Sequence, residues 1–314
     1  ADIQWLYQIT VLPFSLISNL LETCESWVSY LVQASQTDVY TWLRRDLASH
    51  YLVVYIDATF VPTRREHRVT QEAYYSILGV LPDGTREVLA IVNHPTEGAV
   101  NWQGELKALQ ERGVERIDLI VSDALAGIEN AVTSAFPASR HQFCVAHLLR
   151  EMSALVPRKA LLELYDEFRE VLSIDLESKD VNSASQYAAF LNFVERWSKR
   201  VSTFERYKKS RNALYFTFLD YSPKYRRMLY TTNWIERLNR CYKRTLSMRG
   251  AMPNASSVLF LLGSVAMQVN KTTYSYPVSV FKDWNNDLSV HSSSFRAKES
   301  PSLKEWTEGS YTLL

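Results

Sequence analysis

The sequence predicts an α/β fold, in which helices flank a mixed five-stranded sheet and an all-α insertion interrupts the second half of the chain. Strand and helix patterns follow one another in the order β-β-β-α-β-α-β-α up to about residue 148, which is typical of a mixed sheet with helices on its faces. From there to about residue 229 only helical periodicity is found. The 314 residues are 46% hydrophobic and 22% charged, a composition that supports a sizeable core.

The first segment, residues 1–50, is predicted to be helical and to serve in packing or dimerisation. Apolar residues follow helical spacing over residues 15–34, and a second short helix is predicted over residues 37–47. Residues 1–56 hold two basic and five acidic side chains, which argues against DNA binding there. The segment is too polar to span a bilayer and has no secretory signal, so we expect no membrane partner.

Residues 51–148 form the first part of the predicted core. Apolar runs rich in β-branched and aromatic residues predict its five strands. The predicted strands span residues 51–57, 72–81, 86–93, 116–122 and 140–145, and the predicted helices span residues 101–112 and 124–136. The first strand ends on Asp57, and Asp123 directly follows the fourth. Ligand sites of α/β sheets gather at such strand ends.

Three further segments complete the predicted organisation. Residues 149–229 form the α-helical insertion, and residues 230–282 return to the core with helices, the first of which carries Glu236. These core helices are predicted over residues 233–249 and 256–270. Residues 283–314 are polar and rich in Ser, and we expect a loose polar tail there.

Asp57, Asp123 and Glu236 are candidate catalytic and metal-binding residues. A carboxylate at the end of a buried strand is costly to desolvate unless it is paired or bound to a metal. Two such carboxylates on neighbouring strands repel each other, and a divalent cation removes the repulsion. Oxygen ligands suit Mg²⁺ or Mn²⁺. Taken singly, however, each Asp is more simply explained as a turn former or helix cap, and Glu236 as an ion-pair partner of Arg240.

Four motifs, in order along the chain, resemble the Mutator-type transposases of bacterial insertion sequences. They are IDATF at residues 56–60, SDALAGIENA at residues 122–131, QFCVAHLLR at residues 142–150 and YTTNWIERLNR at residues 230–240. The resemblance implies a ribonuclease H-like fold with an all-α insertion between the second Asp and the Glu of an Asp-Asp-Glu triad. It assigns the triad to Asp57, Asp123 and Glu236.

The resemblance also implies an activity and its partners. The family acts on DNA with divalent cations, by hydrolysing a phosphodiester bond at a transposon end, and the resemblance implies two Mg²⁺ or Mn²⁺ ions here. The freed 3′-hydroxyl is then joined to target DNA, and a homodimer is expected because two ends must be brought together. The sequence departs from the family at Trp234, where a small residue is usual, and at Arg237, where Ser is usual. Residues 1–50 have no clear counterpart of the family's N-terminal DNA-binding region.

Cys144 and His147, in the third motif, are separated by two residues at a predicted strand-to-helix junction. Three interpretations remain open. A zinc site would need two further ligands, and a buried Cys beside a capping His would need none. The family's signature of Cys or Asp, two residues, then His implies support of the active site, as groups behind a ligand provide. We favour this role and regard both residues as catalytic candidates, whereas His141 is expected to face solvent.

A strongly basic segment extends from Arg196 to Gly250. Fifteen Lys or Arg side chains stand there against three acids, a local balance of +12 in a chain whose net charge is +1. This concentration predicts contacts with a phosphate backbone, although a solvated helix face over an aromatic core is the alternative. The candidate DNA-binding residues are Lys199, Arg200, Lys208, Lys209, Arg237, Arg240, Lys243 and Arg244.

The predicted function is therefore that of a DNA transposase. Two alternatives remain open: a ribonuclease H-like nuclease that does not join strands, and a catalytically silent, transposon-derived DNA-binding protein. Three widely spaced cysteines argue against a disulfide framework and for a reducing compartment. We accordingly expect a cytoplasmic, nucleoid-associated bacterial protein.

Overall fold

The computed structural model describes residues 35–94, 101–172, 181–247 and 250–284. The predicted helix over residues 15–34, Arg249 and residues 285–314 of the predicted tail lie outside the described residues. The second predicted helix is present as α1, which covers residues 35–43. No helix in the described part of the chain combines the length and the apolar character needed to cross a bilayer.

Five strands form one mixed sheet. They are β1 His50–Arg65, β2 Arg68–Val80, β3 Arg86–His94, β4 Arg116–Ser122 and β5 Arg140–Phe143. In space they follow the order β3-β2-β1-β4-β5. β1, β2 and β3 form an antiparallel meander, whereas β4 pairs parallel with both β1 and β5. The ribonuclease H-like mixed sheet predicted from the sequence is thereby confirmed.

Helices follow β3 and connect the later strands. They are α2 Trp102–Glu111, α3 Ile128–Ala135, α4 Val145–Leu155, α5 Leu161–Leu172, α6 Ser183–Ser198, α7 Pro223–Leu229, α8 Asn233–Leu246 and α9 Ala255–Val269. Between β5 and Glu236 the described residues contain helices and 3₁₀ turns only, as the all-α insertion requires. The segment boundaries predicted from the sequence stay predictions, because one continuous hydrophobic cluster joins the sheet to the insertion.

The sheet lies between helices that cover its two faces. Trp102 of α2 makes an edge-on ring contact with Tyr75 of β2, and α8 contacts β1. Tyr75 pairs with Ala58 and therefore shares its face, opposite to that of Asp57. Residues 51–56 of β1 are fully buried as a result, which explains why this strand is a continuous apolar run rather than an alternating one.

Buried polar contacts attach the insertion to the sheet. The side chain of Gln142 in β5 donates to the carbonyl of Tyr215 (3.0 Å) and accepts from the backbone N–H of Phe218 (2.7 Å). The backbone N–H of Val145 donates to the carbonyl of Tyr230 at 2.9 Å. The end of the insertion is thus held against the start of α4, which places the following helix α8 beside β1.

The first strand is longer than predicted. β1 does not end at Asp57 but continues to Arg65, because β2 pairs with it residue by residue as far as Arg65 and Arg68. Glu66 and His67 both have positive φ and form the two-residue turn between the strands. Asp57 therefore lies within a strand and not at its end.

Candidate active site

The sheet register places two of the candidate carboxylates side by side. β1 and β4 are parallel, and the last residues that pair between them are Ile56 and Ser122. Asp57 and Asp123 each come directly after that last pair. The structure therefore brings them together where the two strands separate, although only β4 ends there.

Helix α8 brings the third carboxylate to the same place. Asn239 of α8 is buried, and its Nδ2 donates to Oδ2 of Asp57 at 2.7 Å. Glu236 precedes Asn239 by three residues and so lies on the same side of the helix. Asp57, Asp123 and Glu236 all line one cleft of about 670 Å³. Asn239 had no signal in the sequence beyond its helical spacing from Glu236.

Burial and like charge act together on Asp57, which is only 6% exposed. Desolvation, followed by the charge of Asp123, raises the pKa of Asp57 to about 7. His147 and the backbone N–H of Ala58 oppose this shift, and the charge of Glu236 adds a smaller increase. The carboxyl group is therefore poorly compensated by the protein alone. A divalent cation held between the acids would supply that compensation.

His147 lies between the two aspartates. Its Nδ1 contacts Oδ1 of Asp123, and its Nε2 is 4.0 Å from Oδ1 of Asp57. Burial alone would lower the pKa of His147, but the hydrogen bond and charge of Asp123 and the neighbouring Cys144 raise it to about 10. The imidazolium form can therefore orient Asp123 and offset part of the carboxylate charge.

Cys144 is buried at the residue before α4, with its Sγ 3.5 Å from the hydroxyl of Thr232. Its sulfur, a carboxylate oxygen of Asp123 and a ring nitrogen of His147 lie within 4.8 Å of one another. These three donors could take part in holding a metal ion, and they could equally fix the position of Asp123. The structure thus supplies a third neighbour for the Cys-His pair that spacing alone did not reveal.

His141 was expected to face solvent, and this prediction is wrong. His141 is buried, and its Nε2 hydrogen-bonds the hydroxyl of Ser122 at 2.8 Å. That hydroxyl also donates to the backbone carbonyl of Asp123 at 2.8 Å. Burial, aided by Arg211, lowers the pKa of His141 to about 3, so the ring is neutral. The pairing of β5 with β4, which places His141 opposite Ile120, creates this contact.

The cleft is also lined by cations. Arg240 and Lys243 of α8 contribute to its wall, as does Arg150 of α4. Arg150 was not among the predicted binding residues, yet it follows His147 by three residues and so shares its side of the helix. A cleft lined by both carboxylates and cations suits a phosphate group bound beside a metal site.

Several cations of the basic segment form ion pairs with acids elsewhere in the chain. Six of its cations pair with acids outside residues 196–250: Arg196 with Glu167, Arg200 with Glu163, Arg206 with Glu151, Lys208 with Glu195, Arg211 with Glu129 and Lys224 with Asp283. Arg226 is buried against backbone carbonyls. The local balance of +12 therefore overstates the positive charge that this segment presents to a partner.

The predicted DNA-binding residues accordingly fall into two groups. Arg200 and Lys208 are paired with acids, and Lys199 and Lys209 are exposed beside them. On α8, all four predicted cations are exposed and, within the described residues, none of them forms an ion pair. They are Arg237, Arg240, Lys243 and Arg244. Positive charge available for a phosphate backbone is therefore concentrated on α8, next to Glu236.

Comparison with known proteins gives one consistent match. Residues 15–275 match the family model described as transposase, Mutator family. The transposase for insertion sequence element IS905 of Lactococcus lactis is 27% identical over 82% of this chain and 60% of its own length. The transposase for element IS256 in transposon Tn4001 of Staphylococcus aureus is 27% identical over 78% of this chain and 62% of its own length. The chain thus spans about 60% of the length of these relatives.

Two solved structures share a weaker likeness. The Drosophila P element transposase strand transfer complex has 11% identity and a TM-score of 0.25, over 82% of this chain and 73% of that chain. The simian T-cell lymphotropic virus intasome in complex with PP2A regulatory subunit B56 gamma has 13% identity and a TM-score of 0.23, over 46% of this chain and 49% of that chain. The family model covers most of the chain, the strands and helices follow one another in the predicted order, and each of the four motifs contributes residues to one cleft. The chain therefore belongs to the Mutator family of transposases.

Proposed function

We propose that this protein hydrolyses phosphodiester bonds at transposon ends and transfers the freed 3′-hydroxyl into target DNA. The observation that carries the proposal is the convergence of Asp57, Asp123 and Glu236 on one cleft, although long stretches of chain separate them. A single divalent-cation site can serve both steps, because each is an attack of an oxygen nucleophile on phosphorus.

The donor set of the cleft suits Mg²⁺ or Mn²⁺. Asp57, Asp123 and Glu236 offer carboxylate oxygens, the ligands that these hard cations prefer. The raised pKa of Asp57 supports the same assignment, because its carboxylate stands near two like charges without a full complement of protein cations. When bound, two ions would lower the pKa of the attacking water and neutralise the charge on the phosphate.

The remaining residues of the cleft have separable roles. Asn239 and His147 would hold Asp57 and Asp123 in position, and Cys144 would keep the start of α4 against Thr232. Arg150, Arg240 and Lys243 would receive the phosphate groups that flank the reacting bond. These roles require no covalent intermediate with the protein.

The proposed DNA path starts on α8 and extends over the insertion. Arg237 and Arg244 would continue the phosphate contacts beyond the cleft, and Lys199 and Lys209 would extend them further. Arg200 and Lys208 would join only by exchanging their carboxylate partners for phosphate. Transposon-end and target DNA are thus the proposed partners. A homodimer would bring two ends together, and a nucleoid-associated place in the bacterial cytoplasm follows from these partners.

Substitution of the acids tests this proposal. Asp57→Asn and Asp123→Asn should abolish cleavage and strand transfer together while leaving DNA affinity nearly unchanged, because both steps share the carboxylates and affinity comes from the cations. The assay uses a donor DNA that carries the ends flanking the protein's own gene. Calorimetric titration of Mn²⁺ into wild type and variants measures binding directly.

Each alternative function has its own outcome. Cleavage at the wild-type rate by either variant in Mg²⁺ would refute the triad. A wild-type protein that cleaves but never joins a pre-cleaved end to target DNA would be a nuclease only. Failure of the wild type to bind Mn²⁺ at all would favour a catalytically silent DNA-binding protein.

A further inference from the structure

Phe60 is an exposed aromatic side chain in the wall of the candidate active site. It follows Asp57 by three residues on β1 and lines the same cleft as the three carboxylates. Its side chain is 49% exposed. Binding clefts are commonly lined by aromatic side chains together with a few polar groups.

The strand pair that carries Phe60 extends beyond the other strands in the described part of the chain. Among the described residues, β3 pairs with β2 only as far as Ala73, which lies opposite Phe60. From Phe60 to the turn at Glu66 and His67, β1 and β2 therefore form a two-stranded arm. We name residues 60–73 the β-arm.

The two faces of the β-arm differ in what covers them. On one face, Val61, Thr63 and Glu72 are buried; Thr63 bridges to Met252, and Glu72 pairs with Arg65. On the other face, strand alternation places Phe60 and Arg64 with their cross-strand neighbours. The members of this face are Phe60, Pro62, Arg64, Val69, Gln71 and Ala73. Ala73 is buried and Pro62 is half-buried, whereas the other four side chains are exposed.

This inference rests on the proposed function, since it concerns the DNA bound in the same cleft. We propose that Phe60 stacks on an unpaired base next to the reacting phosphate and that Arg64 binds the backbone phosphate beyond it. Arg150, Arg240 and Lys243 line the cleft together with Phe60, and their charge matches a nucleic acid. Every base offers a π-face for an aromatic platform. In a closed duplex that face is covered by neighbouring base pairs, so the base that stacks on Phe60 is one freed from pairing.

Fluorescence of a forked DNA duplex tests the stacking. The probe carries 2-aminopurine at the first unpaired position, and binding is measured in EDTA so that no cleavage occurs. Wild-type protein should bind the fork more tightly than the matching blunt duplex and should quench the probe. Phe60→Ala and Phe60→Leu should weaken fork binding roughly 5- to 150-fold, the range for one base–aromatic stack, and leave blunt-duplex binding unchanged. Phe60→Trp should retain both quenching and preference.

Matched variants separate stacking from general effects. Tyr276→Ala removes an aromatic side chain that is 72% exposed and lies outside the cleft lining, and it should leave fork preference intact. Arg64→Gln should lower affinity and flatten its salt dependence by about one phosphate contact, whereas Arg68→Gln on the opposite face should do so less.

The possible results also separate this inference from the proposed function. Unchanged fork preference and quenching in Phe60→Ala would overturn the stacking role even if Asp57→Asn abolished cleavage as proposed. Conversely, cleavage that survives in Asp57→Asn would refute the proposed chemistry, while loss of fork preference in Phe60→Ala would still support the stacking. A wild-type protein that does not distinguish fork from duplex would also overturn the stacking role.

Discussion

Asp57 would couple protein stability to binding of the proposed divalent cation. Its folded-state pKa of about 7 lies well above the value of about 3.9 for an unfolded chain. Between these values the folded protein holds a proton that the unfolded chain has released. Its stabilising contribution is therefore complete below about pH 4 and is lost as the pH rises through 7.

We predict that the free energy of unfolding of the metal-free protein falls between about pH 4 and pH 7, by at most about 1.4 kcal/mol per pH unit for this group. His147 adds a decline of the same sign, because its raised folded pKa of about 10 means that its contribution is lost as the pH rises from about 6.5 through 10. Saturating Mg²⁺ should remove the Asp57 part, since it stabilises the ionised carboxylate. Urea unfolding at a series of pH values, in EDTA and in Mg²⁺, measures the pH dependence with and without the cation. An Asp57→Asn variant that kept the whole pH dependence of the wild type would contradict the assignment of this effect to Asp57.

His147 leads to a second prediction at this scale. His147→Ala should lower the cleavage rate roughly 10- to 100-fold, the usual cost of losing a group behind a metal ligand, without unfolding the protein. The matched control is His67→Asn, at the exposed turn of the β-arm, where Asn tolerates the positive φ.

Elemental analysis of chelator-washed protein decides between the roles of the Cys-His pair. We expect no bound zinc. Stoichiometric zinc that disappears in Cys144→Ala or His147→Ala would instead assign these residues, with Asp123, to a metal site.

At the scale of elements, α8 differs from the preceding part of the basic segment in the positive charge that it offers to a partner. The cations of α8 are exposed, whereas Lys208 is held by both Glu195 and Glu205. Each phosphate contact contributes about 0.9 to the slope of log affinity against log salt. A cation that is already paired inside the protein contributes less, because its carboxylates must first be released.

We therefore predict different slopes for two double variants. Replacing Arg240 and Lys243 with Ala should reduce the slope of log affinity against log salt by up to about two units. Replacing Lys208 and Lys209 with Ala should reduce this slope by about one unit. Both should weaken all DNA sequences alike, because phosphate contacts carry no base information. Replacing Arg237 or Arg240 should lower catalysis more than affinity, owing to the position of these residues near Glu236. Equal slopes for wild type and the Arg240/Lys243 variant would remove α8 from the DNA path.

At the scale of the whole molecule, the sheet and the insertion share one hydrophobic core. Phe193 of α6 is fully buried and makes ring contacts with Phe168, Phe190, Trp197 and Phe204. Burial that is continuous across both parts favours a single cooperative unfolding transition.

We predict that Phe193→Ala lowers the free energy of unfolding by about 3–5 kcal/mol. The unfolding of the sheet and the unfolding of the insertion should shift by the same amount. Hydrogen exchange at the amides of β1 and α6 reports on the two parts separately. Leu162→Ala, at a side chain that is 77% exposed, should change stability by less than about 0.5 kcal/mol. Two resolved transitions would show that the insertion is an independent domain.

The sequence by itself determined the class of the fold and the order of its elements. Apolar runs, helical periodicity and turn residues are local properties, so β4 was predicted at its observed bounds, residues 116–122. The same local patterns, with the family motifs, singled out Asp57, Asp123 and Glu236. They could not show how far β1 extends past Asp57, because that depends on pairing with β2, nor that His141 would be buried beside Ser122.

Only the tertiary structure decided which of these residues meet. The register of β1 on β4 sets Asp57 beside Asp123, and the packing of α8 brings Asn239 and Glu236 to them. Tertiary packing also paired six cations of the basic segment with acids outside it. The charge balance of the segment alone could not include these acids. The place of Phe60 in the cleft was likewise visible only in the tertiary structure, because it depends on the pairing of β1 with β2 past Asp57. Contacts between residues far apart in the chain depend on how elements pack, and no local pattern carries that information.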